Sequence, residues 1–282
     1  MKAILVTGAN SGIGLYTARR LLSNGFFVYA GIRNSERFGV FHKVENSEVI
    51  KLDVTSQDDI DAAAEYIGLQ GRGLYGVVNN AGIQRFSKMN TIEDKELYEI
   101  FETNVFGPIR MNKALAPLLI ASKGRTVAIG SISAFRPCGG SGIYGMSKSA
   151  LSSYVDSYHQ EMQEFGVHAS IIEPGGYNTN IITNADNESL PDEVRESIQT
   201  KLRTFRFAGR PPHDIADAVL EAMTAEFPKR RYMVVPRENQ AKTAIMSALT
   251  KVAELNSNQE YEYTNDELVK MLEQLLDESS SE

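Results

Sequence analysis

The 282-residue sequence predicts an α/β fold with one doubly wound parallel sheet of about seven strands, helices on both faces and extra helices at the C-terminal end. Two observations carry this. Short apolar runs alternate with amphipathic segments of helical period up to about residue 236, an order that buries a parallel sheet between two helical layers. In addition, Gly8 to Gly14, Arg33, Asp53, Asn80, Ser131 and Gly175 each stand just after a strand-like run. Sheets of this kind bind ligands beyond the carboxyl ends of their strands.

The first strand is Ala3–Val6, followed by a glycine loop, Thr7-Gly-Ala-Asn-Ser-Gly-Ile-Gly14. A helix follows, with Ile13, Leu15, Ala18, Leu21 and Leu22 apolar, and stops near Asn24-Gly25. Strand, glycine loop and helix together bring a diphosphate onto a helix N-terminus. In that layout Gly8 permits the tight turn, Gly12 admits phosphate to the backbone and Gly14 allows close packing. The second strand, 26–33, ends in Arg33, where an NAD-preferring fold places an acidic side chain on the ribose. A guanidinium pairs with a 2′-phosphate in a fork, so NADP(H) is expected over NAD(H), with NAD(H) still possible.

The third strand, 48–53, ends in Asp53, and a helix follows from Gln57 to about Ile67. The fourth, 76–79, runs into Asn79-Asn80-Ala81-Gly82, whose amides suit loop ties or a ligand. A long helical region from Lys95 to about Ala121 contains Asn104 and Pro108; the proline removes a donor and is expected to bend the helix. The fifth strand, 125–130, feeds Ser131. A helix from Tyr144 to about Phe165 turns Ala150, Leu151, Tyr154, Val155, Tyr158 and Met162 inward. The sixth strand, 167–172, is left by Glu173-Pro174-Gly175. Residues 176–211 lack clean period, include an expected helix Pro191–Leu202, and have the size of a binding lid. A helix from Pro212 to about Ala225, a strand 231–235 and helices at 240–254 and 265–276 complete the chain. The expected division is a catalytic domain at 1–236 and an acidic helical extension at 237–282.

The formal charge of −7 is not spread evenly. Residues 252–282 hold nine acids and one lysine, net −8, which leaves residues 1–251 at net +1. A near-neutral body gives no reason to expect nucleic-acid binding. The single cysteine, Cys138, excludes an intramolecular disulfide framework. No His, Cys or carboxylate spacing suggests a metal site. No apolar run approaches the roughly 18 residues that span a bilayer, so no membrane span and a cytoplasmic setting are expected.

Tyr144 and Lys148 are four apart, so on one helix they share a face. Alone, such a pair is a common solvated face. Here it follows Ser131 and the other strand-end motifs, and an ammonium beside a phenol favours the phenolate. The pair is therefore expected to trade protons near neutral pH, with the Ser131 hydroxyl on the same substrate oxygen.

Over about residues 1–236 the chain resembles the short-chain dehydrogenase/reductase superfamily. The resemblance rests on Thr7-Gly8-x3-Gly12-x-Gly14, Asp53-Val54, Asn79-Asn80-Ala81-Gly82, Asn104, Ser131, Tyr144-x3-Lys148 and Pro174-Gly175-x3-Thr179, in family order. Val28-Tyr-Ala-x-x-Arg33, Asn104-Val-x-Gly107 and Gly130-Ser131 are similar to the 17β-hydroxysteroid and retinol dehydrogenase branch. The resemblance implies a Rossmann-type fold and reversible carbonyl–alcohol hydride transfer with a nicotinamide cofactor. It implies that Gly8, Asn10, Ser11, Gly12, Ile13 and Gly14 line the diphosphate. Arg33, Asp53 and Val54, then Asn80, Ala81 and Gly82, would take the adenosine half. Pro174, Gly175, Tyr177 and Thr179 would take the carboxamide side. Lys148 would bind the ribose and lower the Tyr144 pKa, Tyr144 would be the acid/base, Ser131 the oxygen donor and Asn104 the anchor of a proton route. A homodimer or homotetramer and a hydrophobic carbonyl or alcohol substrate are implied as well. For that substrate the chain offers Phe135, Ile143, Tyr177, Ile181, Ile182, Leu202, Phe205 and Phe207.

Overall fold

A computed structural model of the protein describes residues 1–136, 139–179, 181, 196 and 210–281. Among them seven strands form one parallel sheet: β1 (Ala3–Thr7), β2 (Phe27–Ile32), β3 (Ser47–Lys51), β4 (Gly76–Asn79), β5 (Arg125–Ile129), β6 (His168–Pro174) and β7 (Arg231–Val234). Their order is β3-β2-β1-β4-β5-β6-β7. The chain leaves β1 toward β3, then crosses back to β4, and this reversal opens a crevice above the carboxyl ends of β1 and β4.

Alternate residues of β1 feed two cores. Ile4 and Val6 pack with Ala18 and Leu21 of α1 (Gly12–Ser23) and with Ile215 and Val219 of α6 (His213–Thr224). Ala3 and Leu5 face the other way, with Ile60 and Ile67 of α2 (Gln57–Leu69) and Met111, Leu115 and Leu119 of α4 (Gly107–Ser122). With both faces covered, the strand reads as an unbroken apolar run. A third cluster packs Leu151 and Val155 of α5 (Gly142–Met162) on Ala128 and Ile171. The chain ends in α7 (Glu238–Asn256) and α8 (Asn265–Ser281).

Four local departures from the sequence expectations bear on the site. Strand β3 stops at Lys51. Asp53 lies beyond it because its carboxylate caps Thr55, accepting from the backbone N–H at 2.9 Å and the hydroxyl at 2.7 Å. The long helical region splits into α3 (Asp94–Phe101), a π-helical turn Glu102–Phe106, and α4, with Pro108 in the first turn of α4. Strand β6 continues through Glu173, which sequence had placed outside it. An unanticipated 3-10 segment, Ser35–Phe41, follows β2 and is capped by Asn34. Most of the expected lid, its helix Pro191–Leu202, and Pro137 and Cys138 lie outside the described residues. Among the described residues no helix is long and apolar enough to cross a membrane.

Candidate active site

A cleft of about 1550 Å³ lies over the carboxyl ends of the strands. It is lined by the expected residues Gly8, Asn10, Ser11, Gly12, Ile13, Arg33, Asp53, Val54, Asn80, Ala81, Gly82, Ser131, Tyr144, Lys148, Pro174, Gly175, Tyr177 and Thr179. Gly14 and Asn104 do not line it.

The glycine turn is built for close approach. Gly8 has φ +65°, a left-handed conformation that favours glycine. At Gly14 an added Cβ would overlap the Gly8 carbonyl and the Asn80 amide, so no larger residue fits. The Asn80 side chain donates to the Thr7 carbonyl at 2.8 Å, and the Thr7 hydroxyl accepts from the Asn80 and Ala81 N–H groups at 3.0 and 2.9 Å. These bonds tie β1 to β4. The Ser11 side chain does not cap α1, so the first N–H groups of that helix remain available at the cleft. An anionic group fits there, because a helix N-terminus offers both donors and a favourable dipole. A Cβ on Gly12 would stand 3.6 Å from Thr179, which closes the groove from the opposite side.

Asn104 sits in the π-helical turn and is fully buried. Its amide oxygen accepts from the Ile83 N–H at 2.9 Å, and its nitrogen donates to the Ile83 carbonyl at 2.9 Å and the Ser147 hydroxyl at 3.0 Å. The side chain therefore fixes the strand-to-helix loop and the base of α5. A Cβ on Gly107 would meet Val54 at 2.9 Å, so the start of α4 packs against the Asp53–Val54 wall.

Tyr144 and Lys148 lie one turn apart on α5, with the Lys148 nitrogen 5.7 Å from the Tyr144 ring centre. Lys148 donates to the Ile129 carbonyl at 2.7 Å. Sequence led us to expect a phenol made more acidic by this ammonium. The structure instead pushes Tyr144 up to about 12, because burial outweighs the Ser131 hydrogen bond that draws it down and the Glu173 charge raises it further. Burial likewise brings Lys148 down to about 8, against an opposing pull from Glu173. Both groups are drawn toward their neutral forms.

Several contributors were missed. Arg37 lines the cleft beside Arg33, and Gln240 of α7 accepts the Gly176 N–H at 2.9 Å. Glu173 is fully buried behind Ser131. Its signal was visible: a carboxylate ending an apolar parallel strand needs a partner. Of the proposed substrate-facing apolar residues, Tyr177 and Ile181 line the cleft. Ile143 is instead buried with Ile100, and the Phe135 ring lies 5.5 Å from the Arg231 guanidinium. Ile182, Leu202, Phe205 and Phe207 lie outside the described residues.

Comparison with known proteins follows the same lines. The short chain dehydrogenase family model matches residues 2–189. The uncharacterized oxidoreductase YbbO of Escherichia coli K12 is 33% identical over 235 residues, covering 83% of this chain and 85% of that protein. Rat estradiol 17-beta-dehydrogenase 2 is 35% identical over 210 residues, 72% of this chain and 55% of that one. A short chain dehydrogenase of Burkholderia cenocepacia, solved in complex with NADP, superposes with a TM-score of 0.71 at 22% identity, covering 90% of this chain and 97% of that one.

Proposed function

We propose that this chain, an oxidoreductase that belongs to the short-chain dehydrogenase family, interconverts a carbonyl and an alcohol on a hydrophobic small molecule with NADP(H). The observation that carries the reading is the convergence of Ser131, Tyr144 and Lys148 on one wall of a cleft whose other end is a glycine turn at a helix N-terminus.

The glycine turn and the start of α1 hold the diphosphate, and Arg33 with Arg37 take the 2′-phosphate. Pro174 to Thr179 border the nicotinamide end. The bound dinucleotide supplies or accepts the hydride. Ser131 holds the substrate oxygen. Tyr144, kept protonated by burial, donates its proton to that oxygen in reduction and takes it back in oxidation. Lys148 stabilises the negative charge that develops on the phenol and the substrate oxygen. Asn104 holds the loop and helix that keep these groups in register.

The substrate end mixes Ile83, Phe86, Ile132 and Ile181 with Gln84, Ser133 and Arg136. Apolar walls interleaved with polar groups suit a steroid-, retinoid- or lipid-like carbonyl compound. A panel of such ketones, 3-oxoacyl compounds and sugars, followed by NADPH absorbance, identifies the class. Tyr144→Phe is expected to bind NADPH within about twofold of wild type and to lose roughly 10²–10⁴ in turnover, the usual weight of a general acid. A Tyr144→Phe protein that turns over like wild type removes Tyr144 from the reaction.

A further inference from the structure

We propose that Glu173 is a positioning residue of this reaction: its buried carboxylate, held by Arg231, fixes the Ser131 backbone and sets the charge felt by the Tyr144–Lys148 pair. The inference rests on the functional reading above.

The geometry begins with burial. Glu173 is fully buried, as the next-to-last residue of a parallel strand paired on both sides. A carboxylate there is costly unless it is paired and hydrogen-bonded. One oxygen accepts the Ser131 N–H at 2.6 Å, and the other accepts from Arg231 of β7 at 2.8 Å. Arg231 is itself held from α5, by the Ser152 hydroxyl at 2.6 Å and by both oxygens of Asp156 at 3.0 and 2.8 Å. An Asp156–Arg231–Glu173 chain thus runs from the surface to the back of the catalytic wall.

The neighbouring residue is fitted to it. A Cβ on Gly130 would overlap the Glu173 carboxylate, so Gly130 leaves the space that lets Glu173 reach the Ser131 N–H. That bond aligns the residue whose hydroxyl meets Tyr144.

The charged and titratable groups facing Glu173 are few. Arg231 faces it from β7, and Lys148 and Tyr144 face it from α5, with Asp156 behind Arg231. Its charge raises both Tyr144 and Lys148. Burial brings Glu173 itself up to about 7, so its charge changes near the pH at which the proton transfer runs. Removing that charge moves both partners downward.

The test uses the full-length protein with Glu173→Gln, which keeps an acceptor oxygen and removes the charge. In ligand-free protein, 13Cε-lysine NMR, with the Lys148 signal assigned through Lys148→Arg, is expected to show Lys148 titrating at lower pH than in wild type. The rising limb of log kcat against pH for alcohol oxidation is expected to move the same way. The kcat for carbonyl reduction at pH 7 is expected to fall about tenfold or more, with NADPH affinity within about twofold, the split that marks lost positioning rather than lost binding. Ser152→Ala removes one bond from the same network and is expected to shift the profile in the same direction by less. If neither the Lys148 titration nor the kcat profile moves in whichever of these two variants is folded by circular dichroism, Glu173 is only structural. A wild-type protein with no turnover on any carbonyl compound overturns the functional reading and the inference with it. An active wild type, an inert Tyr144→Phe and an unshifted Glu173→Gln overturn the inference alone.

Discussion

Arg33 stands where the adenosine ribose is expected, and its pairing leaves it free to act. Its nitrogen is 3.9 Å from the Asp53 carboxylate, and its side chain is 72% exposed. An ion pair that long and that open contributes little, so the guanidinium can turn to a phosphate. Arg33→Ala is expected to raise the NADPH KM at least about tenfold while changing the NADH KM about twofold or less, since only one cofactor carries the phosphate. Adding Arg37→Ala should widen the gap. Steady-state kinetics with both cofactors decides it, and equal rises would remove the phosphate from the account. Arg33 was legible because its position after β2 is fixed by the strand. Arg37 was not, because the 3-10 segment that carries it has no periodicity to read. Glu173 was passed over for a related reason: sequence shows a charge at a strand end but not the arginine from β7 that meets it, 58 residues away.

The elements that were easiest to read are those that feed an apolar face into a core. Strand β1 and helix α1 announce themselves by apolar pattern, and the turn between them by its glycines, of which Gly14 leaves no room for a Cβ. The π-helical turn at Glu102–Phe106 was harder. Its sequence signal is Pro108, which predicts a break but not its geometry, and only the structure shows Asn104 spending its amide on Ile83 and Ser147. The C-terminal helices divide in the same way. Helix α7 lies beyond the expected domain boundary, yet its Asn239 and Gln240 line the cleft and Gln240 holds the Gly175–Gly176 loop. Residues 265–278 of α8 are exposed apart from partly exposed Leu268, so they bury little. Deleting residues 265–282 is therefore expected to leave turnover and NADPH affinity within about twofold. Gln240→Ala, by contrast, removes the acceptor of a loop N–H in the cleft wall and should lower kcat several-fold, because small misplacements at a reacting centre are amplified. Assaying the two variants together separates a helix that serves the site from one that does not.

At the scale of the whole molecule, the groups that make the site also tax the fold, and the sign can be worked out for Glu173. Its carboxyl is raised to about 7 in the folded protein, from its ordinary 4.5, by burial. Below the lower value it is protonated in both states and makes no difference. Between the two, the unfolded chain releases a proton that the folded chain keeps, so stability from this group falls as pH rises; above about 7 the loss is complete. Glu173→Gln has no such titration. The Tm difference between Glu173→Gln and wild type is therefore expected to be flat below pH 4.5 and to grow in favour of the variant up to about pH 7, where the Glu173 contribution ends. Exposed carboxylates held below their usual range, such as Glu267 at the start of α8, are common to both proteins and cancel in the difference. Calorimetry across that window reads the effect directly. A difference independent of pH would mean that Glu173 is ionised throughout, held so by Arg231, and that its carboxylate is a fixed charge in the fold.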